Sequence, residues 1–189
     1  LHAKFLLSGI LDRVRCRLAP QGCFQQVGKD YGEYDTYSPV ARKASFFIVF
    51  VLAVQFALHT RMVDITKAFC KGDLDKNLPQ GVFMEVPDGF KDRDAKYTPF
   101  GWNTVWRLTK AVYGLKNSAS AYNRKMSDHM RTRGWRVLDA DCCVLCKGTI
   151  GSDDFMIITC WVDDNVCAYK SHKSLDNYLG DLKAGGFDY

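Results

Sequence analysis

Ile157-Ile158-Thr159-Cys160-Trp161-Val162-Asp163-Asp164-Asn165-Val166-Cys167-Ala168-Tyr169 is an apolar segment broken at its middle by two adjacent acids. The acids stand where a hairpin would turn, so the segment reads as two antiparallel strands, Phe155 to Tyr169 overall. A turn of this kind points both acids towards one end of a sheet. An Asp-Asp pair at a turn is also ordinary turn chemistry. Asp153-Asp154, after Gly151-Ser152, is such a pair in a polar loop and reads as solvated.

A second acid ends a second apolar strand in Val63-Asp64-Ile65-Thr66-Lys67-Ala68-Phe69. Gathering Asp64, Asp163 and Asp164 would be strongly unfavourable through desolvation and mutual repulsion. Divalent cations are the usual compensation, and Mg²⁺ prefers oxygen ligands from one or two carboxylates plus substrate phosphates. Two such ions about 3.5–4 Å apart would activate a 3′-hydroxyl and stabilise a leaving pyrophosphate.

Outward from these strands the pattern mixes helices and strands without regular βαβ alternation. Alternation predicts a strand over Arg13 to Leu18, and Gln21 to Pro39 reads as loop. The apolar run Phe46 to Leu58 predicts a buried helix, approximately Ala44 to Leu58. It falls short of the roughly 20 residues that span a bilayer. Short strands are expected at Met62 to Ile65, Val82 to Val86, Val105 to Lys110 and Cys143 to Cys146. Asp75 to Thr104 holds three of the five prolines and reads as an exposed excursion. Helices are expected over Ser118 to Arg133, with Ala119, Tyr122, Met126 and Met130 inward, and over Ser174 to Lys183. The order points to an α+β fold with a largely antiparallel sheet.

The chain has 189 residues, 47% of them hydrophobic, enough for one packed domain or two small subdomains. Its net charge of +5 fits a polyanionic partner without demanding one. Arg124, Lys125, Arg131, Arg133 and Arg136 crowd one segment. Cys142, Cys143 and Cys146 form the tight group among eight cysteines, but no histidine completes a zinc site of standard spacing. Cys70, Cys160 and Cys167 read as small hydrophobes. No signal peptide or membrane span is visible, so an intracellular protein is expected. Leu1 is not an initiator Met, and Phe187-Asp188-Tyr189 looks like the start of a new strand. The expectation is a piece of something longer.

Six motifs in order carry a more specific signal. They are Thr36-Tyr37-Ser38-Pro39-Val40; Val63-Asp64 to Ala68-Phe69; Gly72-Asp73-Leu74; Phe83-Met84-Glu85-Val86-Pro87-Asp88-Gly89-Phe90; Val105-Trp106-Arg107-Leu108 to Tyr113-Gly114-Leu115-Lys116; and Val162-Asp163-Asp164. With Cys16-Arg17-Leu18, Gly22, Gln25-Gln26 and Asp30-Tyr31, the chain resembles the reverse transcriptase domain of copia-type retrotransposons from about Asp12 to Phe187. Trp161 stands where that family has Tyr. Asn117, Ala119 and Ser120 replace its usual Gln, Pro and Arg. Leu78-Pro79-Gln80-Gly81 reads as an inserted loop.

The resemblance implies a right-hand polymerase, with a palm whose small antiparallel sheet is backed by helices, plus partial fingers. Residues 1–60 and 75–110 would be fingers-like and the remainder palm, with thumb, ribonuclease H and integrase outside the chain. It implies an RNA-directed DNA polymerase that extends a primer on an RNA or DNA template with deoxynucleoside triphosphates. Asp64, Asp163 and Asp164 would hold two Mg²⁺ ions, with Mn²⁺ as substitute, and the Ile65 carbonyl would be a further ligand. Phe69 would exclude a 2′-hydroxyl by bulk. Arg17, with Arg15 as a weaker candidate, would meet the triphosphate. Tyr113, Gly114 and Lys116 would shape the nucleotide pocket, and the basic helix after them would touch nucleic acid. The implied location is cytoplasmic, in a virus-like particle, with the nucleus as a further site. Two other readings stay open: a decayed, inactive fragment, and a non-catalytic RNA-binding module that stacks bases on strand aromatics.

Overall fold

A computed structural model describes residues 2–5, 8, 10–15, 17–74, 81–87 and 105–189, with only the backbone described at 2–5 and 12–15. Most of the proline-rich excursion, the inserted Leu78-Pro79-Gln80 loop, Cys16, Asp88-Gly89-Phe90 and the Arg15 side chain lie outside the described residues.

The elements in chain order are β1 (His2–Phe5), β2 (Leu11–Arg15), α1 (Lys43–Gln55), β3 (His59–Asp64), α2 (Ala68–Lys71), β4 (Val82–Glu85), β5 (Val105–Leu108), α3 (Ser118–Thr132), β6 (Arg136–Leu138), β7 (Asp141–Lys147), β8 (Met156–Trp161), β9 (Asp164–Tyr169) and α4 (His172–Ala184). Five strands form one antiparallel sheet in the order β3-β9-β8-β7-β6, while β1-β2 and β4-β5 are separate two-stranded pairs. The fold is thus mixed α and β with a largely antiparallel sheet, as the sequence pattern predicts.

One face of the sheet packs against α3 and α4. Val63, Cys160, Ile158, Met156, Cys167, Tyr169 and Leu145 meet Tyr122, Met126 and Met130 of α3 and Leu175, Tyr178 and Leu182 of α4. Phe187 closes this core with its ring 6.1 Å from that of Tyr122. The opposite face takes α1, where Val49 and Ala53 meet Val144, Cys146, Ile157 and Ala168. Strand alternation puts successive residues of β8 and β9 on these two faces, which explains why the hairpin is apolar throughout.

Several boundaries move for local reasons. The strand expected over Arg13 to Leu18 lies earlier, at Leu11–Arg15, where it pairs with β1. The expected Val82 to Val86 and Val105 to Lys110 strands are β4 and β5, paired to each other. The helix expected to reach Leu58 ends at Gln55. Ala57 turns left-handed at φ 47°, and the Leu58 amide donates to the Ala53 carbonyl at 2.8 Å. That pairing is a Schellman stop with alanine in place of the usual glycine. α4 starts two residues before Ser174 because the Ser171 hydroxyl accepts from the Ser174 amide. On α3, Ala121 is buried more deeply than the expected Ala119.

The expectation that the apolar helix is buried is corrected. Of α1, only Val49 and Ala53 are buried; Phe47, Ile48, Phe50, Val51 and Val54 are exposed. The helix is apolar all round, so its sequence carries no mark of which stripe meets the sheet. Asp141 fixes its start: one carboxylate oxygen accepts from the Arg42 amide at 2.8 Å and the other from Cys143 at 3.0 Å. Asp153 and Asp154 are exposed, as expected of a polar loop. Among the described residues no helix is long and apolar enough to cross a membrane.

Candidate active site

The hairpin forms where the sequence interrupts itself. β8 ends at Trp161, β9 begins at Asp164, and Val162-Asp163 make the two-residue turn between them. Val162 has φ 60°, a conformation that a β-branched residue adopts only under strain of about 1–3 kcal/mol. Lys67 is also left-handed, at φ 55°. Two of the three non-glycine residues with positive φ among those described therefore flank the acids.

β3 lies against β9 with Asp64 directly opposite Asp164, and Trp161 continues the same row across β8. Beyond the strand end, the Ile65 amide donates to the Asp163 carbonyl at 2.8 Å. The sheet thus brings the two distant acidic segments to one end. Asp64 and Asp164 are exposed and Asp163 is half-buried. None of the three forms an ion pair among the described residues, so all three carboxylates remain available to cations. They are not drawn into a tight knot. Among the described residues the one triplet with ligand atoms within 4.8 Å of each other is Asp141, Cys142 and Cys143. That triplet is a poor metal site: both Asp141 oxygens already accept backbone amides, and burial pushes the Cys143 thiol far up.

Tyr113 lies near enough to Asp163 and Asp64 to feel their charges, and Phe69 and Arg17 lie against it. The Phe69 ring meets Tyr113 edge-on at 5.1 Å, and the Arg17 guanidinium lies 5.5 Å from the Tyr113 ring centre. Tyr113 has its phenol pushed up by burial first and then by the Cys70, Asp163 and Asp64 charges, with Arg17 opposing. Gly114 has φ 99°, and a Cβ there would collide with the Pro20 carbonyl, so only glycine lets residues 20–22 approach. Lys116 is committed to the same docking: its amide donates to Gln25 Oε1 at 2.7 Å and its Nζ to the Gln25 carbonyl at 3.1 Å.

Four residues of the basic segment expected to touch nucleic acid form ion pairs within the chain while staying partly exposed. Arg124 pairs with Asp35, Lys125 with Asp73, Arg131 with Asp128 and Arg133 with Asp181. Two residues under the hairpin escaped the sequence reading of the site. Tyr122 has its phenol raised well above the usual range, by burial first and then by Cys160, Asp163 and Asp64. Asn165 is fully buried. Its signal was legible as a lone amide within an apolar strand.

Beside the sheet, Phe46 and Phe50 of α1 and Met62, Thr159, Trp161, Asp164 and Val166 line an open groove of about 600 Å³.

A family model described as reverse transcriptase (RNA-dependent DNA polymerase) matches residues 9–188. The chain belongs to this family. It is 33% identical over 181 residues to the retrovirus-related Pol polyprotein from transposon RE1 of Arabidopsis thaliana, covering 95% of this chain and 11% of that protein. It is 29% identical to the Pol polyprotein from transposon TNT 1-94 of Nicotiana tabacum, covering 91% of this chain and 12% of that one. It is 34% identical to that from transposon RE2 of Arabidopsis thaliana, covering 85% and 10%. The resemblance to the copia-type proteins thus holds over most of the chain, which spans about a tenth of the length of these relatives.

Proposed function

We propose that this chain is the palm and partial fingers of an RNA-directed DNA polymerase, extending a primer on an RNA or DNA template with deoxynucleoside triphosphates. The observation that carries the reading is the register: Asp64 lies opposite Asp164, with Asp163 in the adjoining turn. Three oxygen-donor side chains at one sheet end, without ion pairs among the described residues, suit hard divalent cations, so the residues present fit Mg²⁺ or Mn²⁺. Asp64, Asp163 and Asp164 would hold the ions, joined by the Ile65 carbonyl. Two bound ions supply activation of the primer 3′-hydroxyl and charge stabilisation of the leaving pyrophosphate.

The protein's own groups handle everything else. The Phe69–Tyr113 pair forms an apolar wall against which the incoming sugar packs, and Phe69 excludes a 2′-hydroxyl by bulk. Arg17, exposed beside that wall, meets the triphosphate as a fixed cation. Gly114 and Lys116 act indirectly, by docking residues 20–25 against the pocket. The partners implied are primer, template and the thumb, ribonuclease H and integrase portions of a parent polyprotein, in a cytoplasmic particle or nucleus.

Primer extension with Mg²⁺ tests the reading. The expected result is extension that Asp163→Asn abolishes, and Phe69→Val should admit ribonucleotides. Binding of primer-template without extension, at saturating Mg²⁺ and Mn²⁺, would leave only nucleic-acid binding and retire the catalytic assignment.

A further inference from the structure

Beneath the hairpin, on the side facing α3 and α4, lies a set of polar atoms that the site described above does not use. Asn165 is fully buried, and neither its Oδ1 nor its Nδ2 has a hydrogen-bond partner among the described residues. The Tyr122 and Tyr178 hydroxyls, also buried, are in the same condition. The three side chains are neighbours. Tyr178 feels both the Asn165 amide and the Tyr122 phenol, although Asn165 falls short of hydrogen-bond geometry to it. Leaving four such atoms unpaired in an interior is strongly unfavourable, and folded proteins almost always satisfy them.

The space needed is present. Tyr122 and Asn165 line a small cavity of about 10 Å³, walled also by Met126, Ser127, Cys160 and Val162. That is about the room one water requires, and a water needs two to four polar partners. We propose that this cavity binds one structural water, held by the Asn165 amide and the Tyr122 hydroxyl with Tyr178 alongside. We also assign Asn165 as a positioning residue for Asp163 and Asp164.

The second part rests on the reading of these acids as cation ligands. Asn165 directly follows Asp164, and its backbone pairs with Val63 on one side and Cys160 on the other. A one-residue slip of β9 would carry the amide out of its polar niche and turn Asp164 towards the core. The niche therefore pins the register that sets Asp164 opposite Asp64.

Thermal melts and Mn²⁺ titration of the same proteins test both parts. Tyr122→Phe keeps the ring and removes one partner of the water. If the water is bound, the melting temperature falls, and it stops falling when the background already carries Asn165→Leu. A dry cavity gives the opposite sign, because Tyr122→Phe then removes an orphaned hydroxyl and raises the melting temperature. That rise, or no change, overturns the water site. Trp161, in the same row as Asp164, reports cation binding by fluorescence. Asn165→Leu, which conserves volume, should weaken Mn²⁺ by roughly tenfold or more. Unchanged affinity removes the positioning role. A wild-type protein that binds no Mn²⁺ overturns the reading of the acids and the positioning role with it. The melts would still decide the water site.

Discussion

The two faces of the five-stranded sheet differ in how completely they are closed. The face towards α3 and α4 buries Ile158, Cys167, Tyr178, Leu182 and Phe187 completely. The face towards α1 stays open at its acidic end, where Met62 is 65% and Trp161 49% exposed. Both faces are apolar in sequence and both pack a core, yet only the α1 face opens into a groove at its acidic end. The closed face fixes strand register, and the open face presents the acids that the register aligns. Rigidity and access thus come from opposite sides of the same strands.

The largest effect that sharpens this contrast is expected on the closed side. Ile158→Ala should destabilise the protein by about 4 kcal/mol, the transfer loss plus the cavity left in a packed interior. Chemical denaturation measures it, and a loss below about 1 kcal/mol would mean this face is not the rigid one.

On the open side the expected response is to cations. Mg²⁺ at a hundredfold excess over its dissociation constant should stabilise the fold by about 2.7 kcal/mol through binding the native state alone. Asp163→Asn combined with Asp164→Asn should abolish that rise in thermal melts. A rise that survives the double change would place the ions elsewhere. The melts should be repeated with primer-template and deoxynucleotide, whose phosphates can complete the site.

A smaller effect links the closed face to pH. Burial alone would raise the Asp181 carboxyl, but hydrogen bonds from Trp135, Arg133 and Lys147 together outweigh it and hold it below the usual range. A depressed folded pKa stabilises the protein above the ordinary carboxylate range. That contribution disappears as the pH falls through the lowered value, roughly below pH 4. Asp181→Asn should cost about 2 kcal/mol at neutral pH by leaving donors poorly paired, and should flatten the acid limb of the stability curve. An unchanged acid limb would show that the carboxylate does not tie α4 to Trp135.

The smallest effect is predicted at Met62, on the open face. Met62→Ser should change stability by less than about 0.5 kcal/mol, since the side chain is already in water. A loss like that of Ile158→Ala would mean that the groove is closed in solution.

Much of the site was legible before the fold. The interruption of an apolar run by Asp163-Asp164 marks the turn, because two adjacent acids cannot remain inside a buried strand. Asp64 at the end of Val63-Asp64-Ile65 marks a strand end by the same argument. What local pattern could not supply was the pairing of β3 with β9, which is a long-range choice among apolar strands of similar character. The orientation of α1 was equally hidden, because a helix that is apolar on every side has no preferred stripe. The ion pairs of the basic residues on and after α3 were hidden for a related reason. Sequence shows their charge, but Asp35, Asp73 and Asp181 reach them only across the fold.

By itself, then, the sequence determined most of the elements (β1 and β6 excepted), the turn and the family, because periodicity, turn chemistry and ordered motifs are local properties of the chain. Tertiary structure alone decided that Asp64 faces Asp164, that Phe69, Tyr113 and Arg17 share one wall, and that Asn165 is buried at one cavity with Tyr122. Those are contacts between residues distant along the chain. They exist only because one register buries the apolar face of β8 and β9 against α3 and α4 while leaving the carboxylates at the edge, in reach of water and ions.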